Sequence, residues 1–339
     1  MMDDQLAPLA RPRSLDPYSS SAPHLAAIVD TNVLLSSVDN DCRNAAQGRR
    51  SRLLLMSDCG DIVLYAADHV LDEMYEHLPT IAKSSPVPLA TLRAYFEAEY
   101  LPVLRFVTVS ETDAPDSQVL AITDPDDVPT GRLAKLITPC VVFSDDIHLK
   151  RPGFAPRRWL DMAKAAVDFT DGHQGQVTLM NAAALPLRGV AGLLSFAGRK
   201  VNVSPWILGG LVLGAGALLL QKPERRKAAA EVANKIFEGV SYEFAGAMTK
   251  ERQGVEQLRK VVLAAPSQPT LRQRIAIVLA RQSEPLLAAE VHNLIQERFP
   301  EAPNASIRDV RCALEAGTEF VRVQRYRWQL GREVEPRSL

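Results

Sequence analysis

At 339 residues the chain is longer than one ordinary hydrophobic core, so two or three domains are expected. With 47% hydrophobic and 23% charged residues it is a folding sequence, not a disordered polymer. The net charge of −1 hides an asymmetry: residues 25–150 carry 10 Lys/Arg against 19 Asp/Glu, whereas 304–332 carry 6 Arg against 3 acids. An acidic module and a mildly basic one share the polypeptide, and different tasks are expected of them.

Residues 1–24, rich in Pro and Ser, read as a flexible tail, and they lack the basic and apolar regions of a signal peptide. A cytoplasmic location is therefore the expectation, and Cys42, Cys59, Cys140 and Cys312, without CxxC spacing, are expected to be buried free thiols. From residue 25 to 155 short apolar runs alternate with helix-period segments. The runs are LAAIVD (25–30), IVLYA (62–66), VLRFVTV (103–109) and CVVFS (140–144). Each is β-branched and bounded by polar residues, as strands buried on both faces should be. Between them HVLDEMYEHL places Leu71, Met74 and Leu78 at helical spacing. This alternation predicts an α/β fold with a parallel sheet covered on both sides, whose ligand crevice lies beyond the carboxyl ends of the strands.

The acids fall at those ends. Asp30 closes the first strand, Asp124, Asp126 and Asp127 crowd a helix start, Asp145 and Asp146 end the last strand, and Glu73 lies within a helix. Converging carboxylates repel one another unless cations lie between them, and hard oxygen donors suit Mg²⁺ or Mn²⁺. Each acid also has an ordinary reading: Asp127 as a helix N-cap, Glu73 as a solvated helical residue. Asp30 is harder to dismiss, since a carboxylate closing an apolar strand is costly without a partner.

VDTNVLLS (29–36) resembles the opening motif of PIN-domain nucleases, with Asp30 on the first metal-binding acid and Asn32 on its supporting polar residue. VLDEMYEHL (70–78) is similar to the second motif, with Glu73 on its glutamate. DPDDVPTGRLAKLI (124–137) is similar to the third and VVFSDDIHL (141–149) to the fourth, where Ser144 and Asp146 meet a Ser/Thr-x-Asp pattern. The resemblance implies an α/β/α sandwich and metal-dependent RNA cleavage of the toxin endoribonuclease type. Asp30, Glu73, Asp127 and Asp146 would be both catalytic and metal-binding, with Asn32, Asp126, Ser144 and Asp145 in support. It leaves open whether Asp126 or Asp127 is the ligand and whether Asp145 shares the role of Asp146. It also implies an RNA substrate, Mg²⁺ or Mn²⁺ as cofactor, and an inhibitory antitoxin-like partner. A haloacid-dehalogenase-like phosphatase would need a second Asp where Asn32 stands, no GxxxxGK[ST] loop occurs, and six scattered His offer no zinc spacing.

Residues 156–202 read as a helical extension, 203–221 as an apolar helix, and 222–265 as a helical linker. Eighteen uncharged residues, VSPWILGGLVLGAGALLL (203–220), would extend about 27 Å as a helix, just short of a bilayer's hydrocarbon core. Apolar residues face all round it, so a membrane crossing, a membrane-surface position, a buried helix or homo-oligomerisation could each cover it. Finally, 268–335 gives three short helical patterns and an alternating ribbon, resembling a winged helix-turn-helix. Ser306 is the expected N-cap of the third helix and Gly317 its stop. That helix would present Arg308 and Arg311 to nucleic acid, and the ribbon Arg322, Arg325 and Arg327. A balance of +3 is a thin footprint for DNA, so a protein partner is the other reading. The rival to a nuclease is a non-catalytic regulator that binds nucleic acid or protein, tethered to a membrane through 203–220.

Overall fold

A computed structural model describes residues 25–47, 50–58, 60–110, 116–174, 176, 242–243, 245–264 and 266–336. Among them are β1 (Leu25–Val29), α1 (Thr31–Asn44), α2 (Arg52–Asp58), β2 (Ile62–Ala67), α3 (His69–Ser84), α4 (Leu89–Tyr95) and β3 (Leu104–Val107). There follow α5 (Ser117–Leu120), α6 (Val128–Ile137), β4 (Cys140–Phe143) and α7 (Ile147–Lys150). The last group is α8 (Leu271–Leu279), β5 (Leu286–Leu287), α9 (Ala288–Arg298), α10 (Ile307–Ala316), β6 (Phe320–Gln324) and β7 (Arg327–Leu330). The four apolar runs expected as strands are β1 to β4, each a residue or more shorter or longer at its ends.

β1 to β4 form an all-parallel sheet in the order β3-β2-β1-β4. Successive residues of β1 enter opposite cores, as the pleat requires. Leu25, Ala27 and Val29 pack with residues of α1 to α4, among them Val33, Leu53, Leu71, Met74 and Leu92, while Ala26 and Ile28 pack with α6. Leu71, Met74 and Leu78, expected on one helical face, are 4%, 0% and 1% exposed.

The second core does not end at the α/β elements. Ile275, Ala276, Val278 and Leu279 of α8 share it with Ile28, Tyr65 and Leu133, as do Val291, Val310, Trp328 and Leu330. Residues 253–339 thus belong to the same compact unit as the sheet. Arg281, 3% exposed and just beyond α8, donates to Ile277 O of that helix and to Pro139 O before β4. Arg105 on β3 donates to Gln282 O and Ser283 O at 3.0 and 2.7 Å. Both edges of the sheet are occupied: Arg332 pairs with Phe106 of β3 and Leu263 with Cys140 of β4, each as an antiparallel bridge. Covering the edges removes open N–H and C=O rows that would otherwise pair with another chain.

Within the C-terminal group, β5, β7 and β6 form an antiparallel sheet in that order beside three helices. Ser306 caps α10 through a reciprocal bond with Asp309, as its sequence indicates. The stop at Gly317 has a different cause from the usual left-handed cap. Its φ is −86°, and a Cβ there would meet Glu319 Oε1 and Phe320 Cδ2 at 2.7 Å, so glycine serves close packing. Ile307, expected with the apolar stripe, is 43% exposed at the first turn. Of the cysteines described, only Cys140 is buried; Cys42 is half-buried and Cys312 exposed, and all three are free.

The second compact unit, 171–252, is described only in part. There Gly172 lies so close to the 247–251 backbone that a Cβ would come within 2.4 Å of Glu251 N. Among the described residues no helix is long and apolar enough to cross a membrane. The tail 1–24, the segment 203–221, and most of the extension and linker lie outside the described residues, as does Cys59.

A core held in common predicts that damage to the C-terminal helices is felt by the sheet. Ile275→Ala, at a fully buried position, should cost about 2–4 kcal/mol. Urea unfolding followed by circular dichroism and by tryptophan fluorescence should shift together, whereas separate transitions would show that the two parts fold independently.

Candidate functional site

Parallel strands that share a direction deliver their ends to one rim. β1 ends at Val29 and β4 at Phe143, and Asp30 N donates to Phe143 O at 3.0 Å, so the two strands' exits are tied at the backbone. Asp30, 4% exposed, caps α1 by accepting from Thr31 N at 2.9 Å. Its Oδ2 accepts from Ser144 Oγ at 2.5 Å and from Asn32 Nδ2 at 2.9 Å. Burial raises the Asp30 carboxyl above its ordinary range; bonds from Ser144 and Thr31 oppose that, Glu73 adds to it and His69 opposes it.

Asn32 is a brace rather than a ligand. While its amide donates to Asp30, its Oδ1 accepts from Asp145 N at 3.0 Å and so pins the loop after β4 to the first turn of α1. Ser144 Oγ also accepts from Asp146 N at 2.9 Å, and Asp146 accepts from His148 N at 2.7 Å to cap α7. Glu73, half-buried on α3, accepts from Thr31 Oγ1. Thr31 of the first motif thereby touches the acid of the second.

Asp127 stands at the N-cap position of α6 but makes no capping bond. The ordinary reading of this residue is therefore not realised. It is 9% exposed, and its Oδ2 is buried without a hydrogen-bond partner. Burial first, then the charges of Asp30, Asp146, Asp124 and Glu73, push its carboxyl up to about 7. Asp127 is thus close enough to feel the charges of three other expected residues, Asp30, Asp146 and Glu73, and Asp30 that of Glu73. Asp126 is exposed beside it, and Asp145 is exposed and paired with Lys150, so both alternatives point outward.

Sequence reasoning named Asp124 among the acids without giving it a place in the site, and gave none to Thr31 or His69. Asp124 adds to the field on Asp127 while accepting from Asp126 N at 3.1 Å. Thr31 supplies the hydroxyl that holds Glu73. His69 opens α3, its charge acts on Asp30, and its Nδ1 is buried without a partner. His69 lies four residues before Glu73, one helical turn, and that spacing was a signal available in the sequence.

The donor set is hard oxygen, and the orphaned Asp127 Oδ2 is a ligand atom without another use, so the residues fit a divalent cation. Among the described residues, no three His, Cys, Asp or Glu are placed to hold one ion between them.

On the C-terminal group, Arg308 and Arg311 are exposed on α10, and Arg322 and Arg325 on the hairpin. The latter two stack over the Tyr326 ring at 5.2 and 5.1 Å from its centroid. Tyr326 holds a φ of 68°, a conformation that side chains other than glycine seldom adopt. Arg327, half-exposed, instead donates to Pro285 O at 2.8 Å with Glu290 3.7 Å away.

A carboxyl raised from 3.8 to about 7 binds its proton more tightly in the folded state. Its contribution to stability is therefore present below about pH 4 and is lost as pH rises towards 7. In EDTA at pH 7.5, Asp127→Asn should melt higher than wild type, by an equivalent of roughly 1 kcal/mol, and the gap should close near pH 4. Thermal melts across that range check this, and a gap independent of pH would contradict it. Comparison with family models, curated proteins and solved structures finds no match for this chain.

Proposed function

We propose that the chain is a Mg²⁺- or Mn²⁺-dependent ribonuclease of the PIN type, carrying a winged helix-turn-helix fused to its α/β part. The observation that carries the reading is the convergence of acids from separate elements on a buried, unpartnered Asp127 oxygen. A purely structural rim has no use for charges that destabilise it. The parallel sheet and the order of the four motifs support the PIN resemblance.

In this reading Asp30, Glu73, Asp127 and Asp146 hold the metal, with Asn32, Ser144 and Thr31 orienting Asp30 and Glu73. When bound, the metal polarises a phosphodiester oxygen and lowers the pKa of a water to make it a nucleophile. Ser144 fixes Asp30 by donating to Oδ2, leaving Oδ1 on the Thr31 amide. A divalent cation would take the place of the proton that burial and the neighbouring acids favour on Asp127, so metal binding there would release a proton. RNA is the substrate implied by the resemblance; an antitoxin-like inhibitor, a homo-oligomer and membrane association through 203–220 belong to the same proposal. The arrangement of α8, α9, α10 and the hairpin supports the winged-helix reading, with Arg308, Arg311, Arg322 and Arg325 on its exposed side.

The second reading is a non-catalytic binding module, favoured by the exposed Arg308, Arg311, Arg322 and Arg325 of the C-terminal group. Incubation of the pure protein with single-stranded RNA and Mn²⁺ separates the two. Cleavage that stops with EDTA, and falls at least about a hundredfold in Asp30→Asn, is expected. RNA binding without cleavage supports the second reading. Replacing both Arg308 and Arg311 by Ala should weaken nucleic-acid binding and reduce its salt slope by about 2, measured by fluorescence anisotropy at several ionic strengths; an unchanged slope removes α10 from the interface.

A further inference from the structure

The edge of the sheet beside α3 is closed by the far end of the chain. Arg332 N donates to Phe106 O at 2.8 Å and Phe106 N to Arg332 O at 2.9 Å, so the residue after the hairpin becomes a short extra strand on β3. Gly331, at φ +71°, makes this approach possible: a Cβ there would lie 2.8 Å from Phe106 O. Its N–H donates to Glu319 O at 2.9 Å. Glu319 is itself fully buried against Arg272, which also donates to Ser110 Oγ at 2.7 Å beyond β3. The position of Arg332 is thus set from both sides by main chain and by a buried ion pair.

From there the guanidinium reaches Asp68, with Nη2 and Nε at 2.6 and 3.2 Å from Oδ1. Asp68 occupies the N-cap position of α3, yet it makes no capping bond. Its carboxylate is committed to Arg332 and to Thr108 Oγ1 at 3.0 Å, and its N–H to Val107 O at 3.1 Å. Val107 ends β3, Thr108 follows it and Arg332 is the bridge residue after the hairpin; from α3 Asp68 takes only the bond of Leu71 N to its carbonyl, at 3.3 Å. The Asp68 side chain at the start of α3 is therefore held by the C-terminal segment and Thr108 instead of capping the helix. The next residue is His69, and one turn on is Glu73.

We propose that Arg332 is a positioning residue for the candidate site: by clamping Asp68 it fixes the first turn of α3, and with it the distance of His69 and Glu73 from Asp30. This rests on the nuclease reading for its purpose, though not for its geometry. The pair is half-exposed, 49% and 32% at the two side chains. Such pairs contribute little to global stability, so loss of the clamp should loosen one helix start without unfolding the chain. A lysine can keep the charge but not the fork on Oδ1, and should serve in part.

The test uses the full chain as wild type, Arg332→Ala, Arg332→Lys and Asp68→Asn, with Arg158→Ala as the control, since it removes only the exposed pair with Asp161. Hydrogen exchange, read in EDTA, should show the amides of 69–73 opening at least about tenfold faster in Arg332→Ala and Asp68→Asn, with α1 unchanged. Mn²⁺ titration followed by electron paramagnetic resonance should show about tenfold weaker binding in the same two variants, an intermediate value for Arg332→Lys, and no change in Arg158→Ala. Melting temperatures should stay within a few degrees of wild type. Unchanged exchange at 69–73 overturns the clamp, and faster exchange with unchanged Mn²⁺ binding overturns its role at the site. Should wild type bind no Mn²⁺, the nuclease reading fails, while hydrogen exchange still decides the clamp. If Arg332→Ala does not fold, Arg332→Lys and Asp68→Asn carry both measurements.

Discussion

Carboxylates brought out of water onto one rim repel each other, and most of the local structure around the first strand exists to hold them there against that force. Asp30 is the fixed point. It takes a backbone amide from Thr31, a hydroxyl from Ser144 and an amide from Asn32, which together offset part of the cost of burying its charge. Asp127 receives nothing comparable, and its Oδ2 is left without a partner. The contrast matters chemically. A satisfied carboxylate is a rigid reference, whereas an unsatisfied one with a raised pKa retains free energy that a cation or a proton can release.

The bracing also explains why the site spans so much sequence. Ser144 donates to Asp30 and accepts from Asp146 N, so one hydroxyl couples the first strand's acid to the last strand's loop. Asn32 repeats the coupling through Asp145 N. A parallel sheet is suited to this, because all its strands exit at one edge and short polar side chains can bridge neighbouring exits. β1 and β4 are hydrogen-bonded neighbours, although more than a hundred residues separate them in sequence.

The strands were legible because doubly buried strands must be nearly all apolar, and the acids because they interrupt those runs at their ends. Leu71, Met74 and Leu78 gave away α3 in the same manner. What sequence could not resolve was direction within a pair of acids. Asp126 and Asp127, or Asp145 and Asp146, are chemically equivalent as text; only the geometry of α6 and of the β4 exit turns one inward and leaves the other exposed, Asp145 on Lys150. His69 was missed because its one-turn spacing to Glu73 is also that of an ordinary solvated helical pair. Gly317 had the expected place and another cause, since close packing by Glu319 and Phe320 leaves no mark distinct from a helix stop. Arg327 was grouped with its neighbours by strand alternation, yet a carbonyl at Pro285 captures it.

Composition suggested two modules of opposite charge, and the packing qualifies how separate they are. A basic recognition unit on a flexible tether would need its own core, and at 65 to 70 residues such a core is marginal. Here α8 instead places Ile275, Val278 and Leu279 in the core that lies under β1 and α6. The buried Arg281, whose ordinary pKa is lowered to about 9 by desolvation and by Arg298, is tolerable only because carbonyls of Ile277 and Pro139 receive it. Breaking that contact by separating the parts would leave either a buried cation unpaired or an apolar helix face exposed to water. The C-terminal group is therefore packed on the same core as the sheet that carries the acidic rim, not joined to it by a tether alone.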